Sequence, residues 1–181
     1  MQKKVTCFIY AIFLFCGCAC SQVKELPLKA LFLEAAVRFI TWPAGSDSLK
    51  TDSTFRVGVF PDDRIVPHLK QVFSEKKVKN RSVVFQDLDT LNEAVNCNLI
   101  VLPEMKPGKL ATILSLTRGK PILTVSESPE LAKKGVILCI ASVNQQISCM
   151  INETEASRSN LKISHHLLKK SRVITTQEKT P

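Results

Sequence analysis

The side chains best able to do chemistry are few, and their spacing does not suit it. Six glycines stand at positions 17, 45, 58, 108, 119 and 135. No two lie close enough to cradle a phosphate, so the chain has neither a Walker motif nor a dinucleotide fingerprint. The histidines are His68, His165 and His166. Adjacent helical residues point roughly 100° apart, so His165 and His166 do not ligate a metal from one face. One solvated and one half-buried ring are expected instead. No Gly-x-Ser-x-Gly elbow is present. Beyond residue 21 there is no Cys-x-x-Cys for a zinc ribbon or a dithiol redox site. The expectation is a protein with no catalytic residues, no metal and no cofactor, and therefore not an enzyme.

Of seven cysteines, Cys7, Cys16, Cys18 and Cys20 fall in the first 21 residues. That segment opens with Lys3 and Lys4, runs uncharged from Val5 to Cys20 and ends in small residues, as a secretory signal peptide does. It is shorter than the ~20 residues a bilayer span needs. Ala19 and Ser21 suit the −3 and −1 positions of a cleavage site, leaving Gln22 first. The alternative is a lipoprotein anchored through Cys18 or Cys20, although Phe15 and Gly17 stand where Leu is usual at −3. Cleavage after Ser21 leaves 160 of the 181 residues, lowers the formal net charge from +9 to +7, and keeps Cys97, Cys139 and Cys149. A domain of that size buries roughly 70% of its unfolded surface and needs no staples.

The elements that must position these residues follow from periodicity. A helix is expected over 26–41, with Pro27 in its first turn. Only Lys29, Glu34 and Arg38 interrupt its apolar surface, as in a helix buried on more than one side. Trp42-Pro43 ends it, and 44–54 is a loop. Four strand–helix repeats follow. Strands are expected over 55–60, 82–85, 98–102 and 122–125, and helices over 64–75, 90–95, 107–117 and from Ser128 to Gly135. Asp63 caps the first of these helices and Gly119 closes the third. Strands over 136–141 and 146–151 then form a hairpin, followed by helices over 153–158 and 164–172 and a polar tail over 175–181. The fold class is α/β: a three-layer sandwich, mostly parallel, with a C-terminal antiparallel hairpin strand. One domain is expected over 22–174.

The hairpin bears on the cysteines. With a three-residue loop (Val143, Asn144, Gln145), Cys139 faces Cys149, close enough to bridge. With a loop of two or four residues the register slips by one, and both serve as small apolar core residues. Cys97 is then the odd thiol.

The cations cluster over 64–81, with Arg64, Lys70, Lys76, Lys77, Lys79 and Arg81 against Glu75, and again after Leu161. No aromatic residues are interleaved for base stacking, and export argues against nucleic acid. A solvated face, or guidance toward an anionic membrane or acidic partner, is expected.

Six segments in order carry a resemblance. Leu28-Lys29-Ala30-Leu31-Phe32-Leu33, continuing to Phe39-Ile40-Thr41-Trp42-Pro43, resembles the opening helix of the YfiR family. Phe55-Arg56-Val57-Gly58-Val59-Phe60, Asn80-Arg81-Ser82-Val83-Val84 and Cys97-Asn98-Leu99-Ile100-Val101 resemble its first three strands. Pro121-Ile122-Leu123-Thr124-Val125-Ser126-Glu127 is similar to its Leu-Thr-Val-Ser-Asp segment. Ile151-Asn152 and Leu161-Lys162-Ile163-Ser164-His165-His166-Leu167-Leu168 resemble its closing strand and helix. Asn80 stands for a usual Gly, His165 for a Ser, and Gly135 for a Gly pair. Cys139 and Cys149 stand where bulky apolar residues are usual, a paired change that favours the bridge.

The resemblance implies a periplasmic repressor of membrane-bound diguanylate cyclases. Such a protein docks on the extracytoplasmic sensor domain of an inner-membrane receptor, of cyclase or histidine kinase type, and is released by a redox change or a small molecule. A homodimer is expected. Leu33, Val37, Ile40 and Trp42 are the candidate partner or dimer contacts. The alternative is a small-ligand-binding domain resembling half of a periplasmic solute-binding protein. Its pocket would lie at the carboxyl ends of the parallel strands, near Phe60, Pro103 and Ser126.

Overall fold

The computed structural model describes residues 25–43 and 54–175. The expected signal segment, with Cys18 and Cys20, most of the 44–54 loop and the end of the polar tail lie outside the described residues. Helix α1 (Glu25–Arg38) leads into a short strand β1 (Ile40–Thr41). The main sheet then begins with β2 (Thr54–Val59), followed by α2 (Val66–Phe73), β3 (Lys77–Val78) and β4 (Arg81–Asp87). A 3₁₀ turn (Leu91–Asn96) precedes β5 (Leu99–Leu102), α3 (Pro107–Thr117), β6 (Leu123–Ser126) and α4 (Pro129–Lys133). The chain closes with β7 (Leu138–Val143), β8 (Gln146–Asn152), α5 (Glu153–Arg158), β9 (Lys162–Ile163), α6 (His165–Lys169) and β10 (Arg172–Ile174).

The eight-stranded sheet has the order β10-β8-β7-β6-β5-β2-β4-β3, and β1 pairs with β9 apart from it. Only β3–β4 and β7–β8 are antiparallel within the large sheet. The α/β three-layer architecture is as expected. β5 and β6 are buried at every position, as strands covered on both faces must be. One face packs Phe55, Val57, Leu99 and Leu123 against α1 and α2. The other packs Ile100, Leu102 and Cys97 against Leu110 and Ile113 of α3.

Gly58 sits inside β2 because nothing larger fits. A Cβ there would stand 2.7 Å from Cys97 Sγ and 3.2 Å from Leu88 Cδ1. Gly119 takes φ +72° just beyond α3, the left-handed closure its position predicts. Asp63 does not cap α2 as expected. That helix starts later, after Ile65, and Asp63 Oδ1 accepts from the Ile65 N–H at 3.2 Å.

Two expectations fail at the C-terminal end. The β7–β8 loop has two residues, not three. Asn144 and Gln145 both take positive φ, 50° and 63°, the geometry that matches strand twist in a tight hairpin. Val143 therefore pairs with Gln146, Cys139 with Met150, and Cys149 with Ile140. The one-residue slip sends the two thiols to opposite faces. Cys139 packs with Ala132, Ala141 and Met150, and Cys149 joins the α1-side core. All three cysteines are buried, and the register keeps Cys139 and Cys149 apart, so the Cys139–Cys149 bridge is not formed. The second failure is the final helix, which stops at Lys169. The chain then adds β10 parallel to β8, so that the hairpin strand is not the edge of the sheet.

Candidate functional site

The chain leaves β2 for β4 on one side, then crosses to β5 on the other side of β2. Such a switch of direction opens a crevice at the carboxyl ends of the strands. Here a cleft of about 420 Å³ is lined by Glu25, Lys29, Asp62, Arg64, Glu104 and others. A neighbouring recess of about 290 Å³ adds Ser126 and Ser128, and the two share Asp63, Pro103, Glu104 and Glu127. Of the predicted pocket residues, Pro103 and Ser126 line this space. Ser126 is buried, and its Oγ accepts from the Ser128 N–H at 3.1 Å. Phe60 does not line it. Its ring belongs to the α3-side core, with Lys109 Nζ 4.7 Å from the ring centroid.

Sequence reasoning missed the most constrained group in the cleft. Lys29 is 6% exposed, and its Nζ lies 2.6 Å from Glu25 Oε1 and 2.6 Å from Glu127 Oε2. Burial alone would lower the ammonium's pKa; the two carboxylates outweigh it and hold the pKa above the usual lysine value. The Asp63 pKa is also raised, but there burial leads. Burial raises its pKa and the Glu127 charge raises it further, against the Ile65 N–H. The cleft is therefore acidic, with one buried cation at its base. It carries fixed charges and no nucleophile paired with a base. Among the described residues, no three His, Cys, Asp or Glu side chains are grouped to hold a metal ion.

The predicted contact residues Leu33, Val37, Ile40 and Trp42 form one site, but inside the molecule. They are 1%, 0%, 1% and 8% exposed. Trp42 packs edge-to-face on Phe55 at 5.2 Å, and its Nε1–H donates to the Asn98 carbonyl at 3.3 Å. Leu33, Val37 and Ile40 are core side chains and present no contact surface; Trp42 also lines a recess of about 690 Å³ with Thr41, Pro43 and Leu161. The apolar surface that α1 does expose is Leu28, Leu31 and the following Phe39. A helix apolar nearly all round predicts two packed faces without saying which one is the core. His165 and His166 open α6 and are both exposed; His68 is half-buried on α2.

Among the described residues no helix is long and apolar enough to cross a membrane. Two solved structures share the fold. The ABC domain in complex with L-Trp from Streptococcus pneumonia is 9% identical, with a TM-score of 0.53 over 83% of this chain. A conserved domain protein from Vibrio cholerae is 10% identical, with a TM-score of 0.51 over 82% of this chain. This chain spans 60% of the length of each. Comparison with curated protein sequences finds no match. A YfiR/HmsC-like family model matches residues 27–172, from the first turn of α1 to the start of β10. The chain belongs to the YfiR/HmsC-like family, a family of periplasmic regulatory proteins.

Proposed function

We propose that the chain is an exported regulatory binding protein. It docks on the extracytoplasmic sensor domain of an inner-membrane receptor, of diguanylate cyclase or sensor kinase type, and holds that receptor inactive. The family match over residues 27–172 carries the reading. Inhibition of this kind requires no bond to be made or broken. It requires tighter binding to the receptor's inactive state than to its active one, because equal affinity would shift nothing. The separation of Cys139 from Cys149 on the hairpin supports a small ligand, rather than a bridge between these two thiols, as the releasing signal.

The test is complex formation between the exported chain, purified from the periplasm, and the soluble sensor domain of the membrane receptor encoded beside it. A stable complex by size-exclusion chromatography supports the proposal. The absence of a complex with any such domain removes it. Palmitate labelling of the expressed protein distinguishes a free periplasmic chain from one anchored through Cys18 or Cys20.

A second reading, a small-ligand-binding domain, is supported by the position of the cleft at the switch point. Its test is a ligand-induced thermal shift that Glu127→Gln abolishes.

A further inference from the structure

Helix α1 has an inner face in the core, through Ala30, Leu33 and Val37, and an outer face that nothing among the described residues covers. Leu28, Leu31 and Phe39 are 51%, 48% and 44% exposed, with the exposed Ala35 between them. At 100° per residue these four fall within a sector of roughly 80°. Single exposed apolar side chains are ordinary; a line of them beside a groove marks a contact surface. The groove, about 380 Å³, runs between α1 and α2 and is lined by Pro27, Leu31, His68, Val72 and Lys76 among others.

Cations rim this face. Arg38 and Lys76 bracket the buried Glu34 carboxylate, and Lys79 Nζ donates to the Arg38 carbonyl at 3.0 Å. Glu34 is thereby neutralised, and Glu75 is the carboxylate left in the groove wall. The surface is an apolar stripe and furrow with a basic margin.

We propose that this face is where a folded partner domain docks, one that carries an acidic rim around a protruding apolar anchor. The proposal rests on the regulatory reading and places the receptor's contact on this chain. A second copy fits less well, because a two-fold contact through this face would bring the same cations together. A lipid surface also fits less well, since a furrow is filled by a side chain and not by a flat bilayer.

The test titrates the soluble sensor domain of the neighbouring receptor against wild type, Leu31→Asp, Leu28→Asp and Lys79→Glu at low and physiological salt. Each aspartate variant is expected to bind at least ~10-fold more weakly, as for a central anchor. Lys79→Glu is expected to lose severalfold and to flatten the salt dependence. Thermal midpoints should not move, because all three side chains are exposed. Wild-type binding that both aspartate variants retain overturns the surface and leaves the regulatory reading standing. A wild type that does not bind overturns both. Flotation on phosphatidylglycerol–phosphatidylethanolamine vesicles, or a dimer in sedimentation, that Leu31→Asp abolishes reassigns the face and overturns the proposal.

Discussion

Lys29 Nζ and Glu127 Oε2 meet at 2.6 Å, tying the first helix to the turn after β6, 98 residues away in sequence. The pair joins the face of α1 to the floor of the acidic cleft. The two partners are unequally buried: the side chain of Lys29 is 8% exposed and that of Glu127 32%.

That asymmetry makes a prediction. Glu127→Gln leaves a buried ammonium with Glu25 as its remaining charged partner, and should cost about 1–3 kcal/mol. Lys29→Met removes the buried charge and lets two part-exposed carboxylates return to water, so it should stay within about 1 kcal/mol of wild type. Urea midpoints at unchanged m-value measure both. Equal losses would contradict the account.

The thiols make a second. Burial, and after it the nearby Cys149, push the Cys139 thiol up to about 12. Native Cys139 should therefore alkylate slowly at pH 8, because the thiolate is the reactive form. In denaturant without reductant, Cys97, Cys139 and Cys149 should all react. A gain of two hydrogens on reduction, seen by intact mass, would show a bridge and a different hairpin register.

Crowding at Gly58 makes a third. Gly58→Ala should cost about 1–3 kcal/mol, the usual penalty of overpacking. Because the nearest atom is Cys97 Sγ at 2.7 Å, Cys97→Ala should recover part of that loss. The double variant should then be more stable than the sum of the single effects. Strict additivity would mean that the clash is taken up elsewhere.

Glu34 gives a pH dependence. Burial alone would raise its carboxyl, but Arg38 and Lys76 outweigh burial and hold it below the ordinary glutamate value. A depressed folded-state pKa adds stability that is complete above the unfolded value and is lost as pH falls through the folded one. The stability gap between wild type and Glu34→Gln should be about 1–2 kcal/mol at neutral pH, limited by the exposure of Arg38. It should shrink below about pH 4.5, where the unfolded carboxyl protonates. A gap that widens on acidification would contradict this sign.

The strands β2, β4, β5 and β6 were legible because apolar runs bounded by Gly, Pro and Asn leave little choice of element; the two-residue β3 (Lys77–Val78) was not. The facing of α1 was not. Leu28 and Leu33 are equally apolar, and only the tertiary packing puts one outside and the other in. The hairpin register turned on Val143, which suits a loop or a strand end; Gln145 at positive φ gives no local warning. β10 is a three-residue edge strand held by pairing with β8, so Arg172 read as the end of a helix and Val173-Ile174 as no element at all. The cleft was located by the rule that parallel strands open at their carboxyl ends, which found Pro103 and Ser126. It did not find Lys29, whose partner lies 98 residues away, and it wrongly included Phe60, which the alternation of β2 turns to the opposite face.

The central claim is that this chain restrains a membrane receptor by binding it. The most direct measurement is the output of the neighbouring receptor, in membranes from cells lacking this chain, before and after purified chain is added. The account predicts a saturable fall in cyclase or kinase activity with wild type, and a saturation curve shifted at least ~10-fold with Leu31→Asp. Receptor output that stays unchanged at saturating wild-type chain would contradict it.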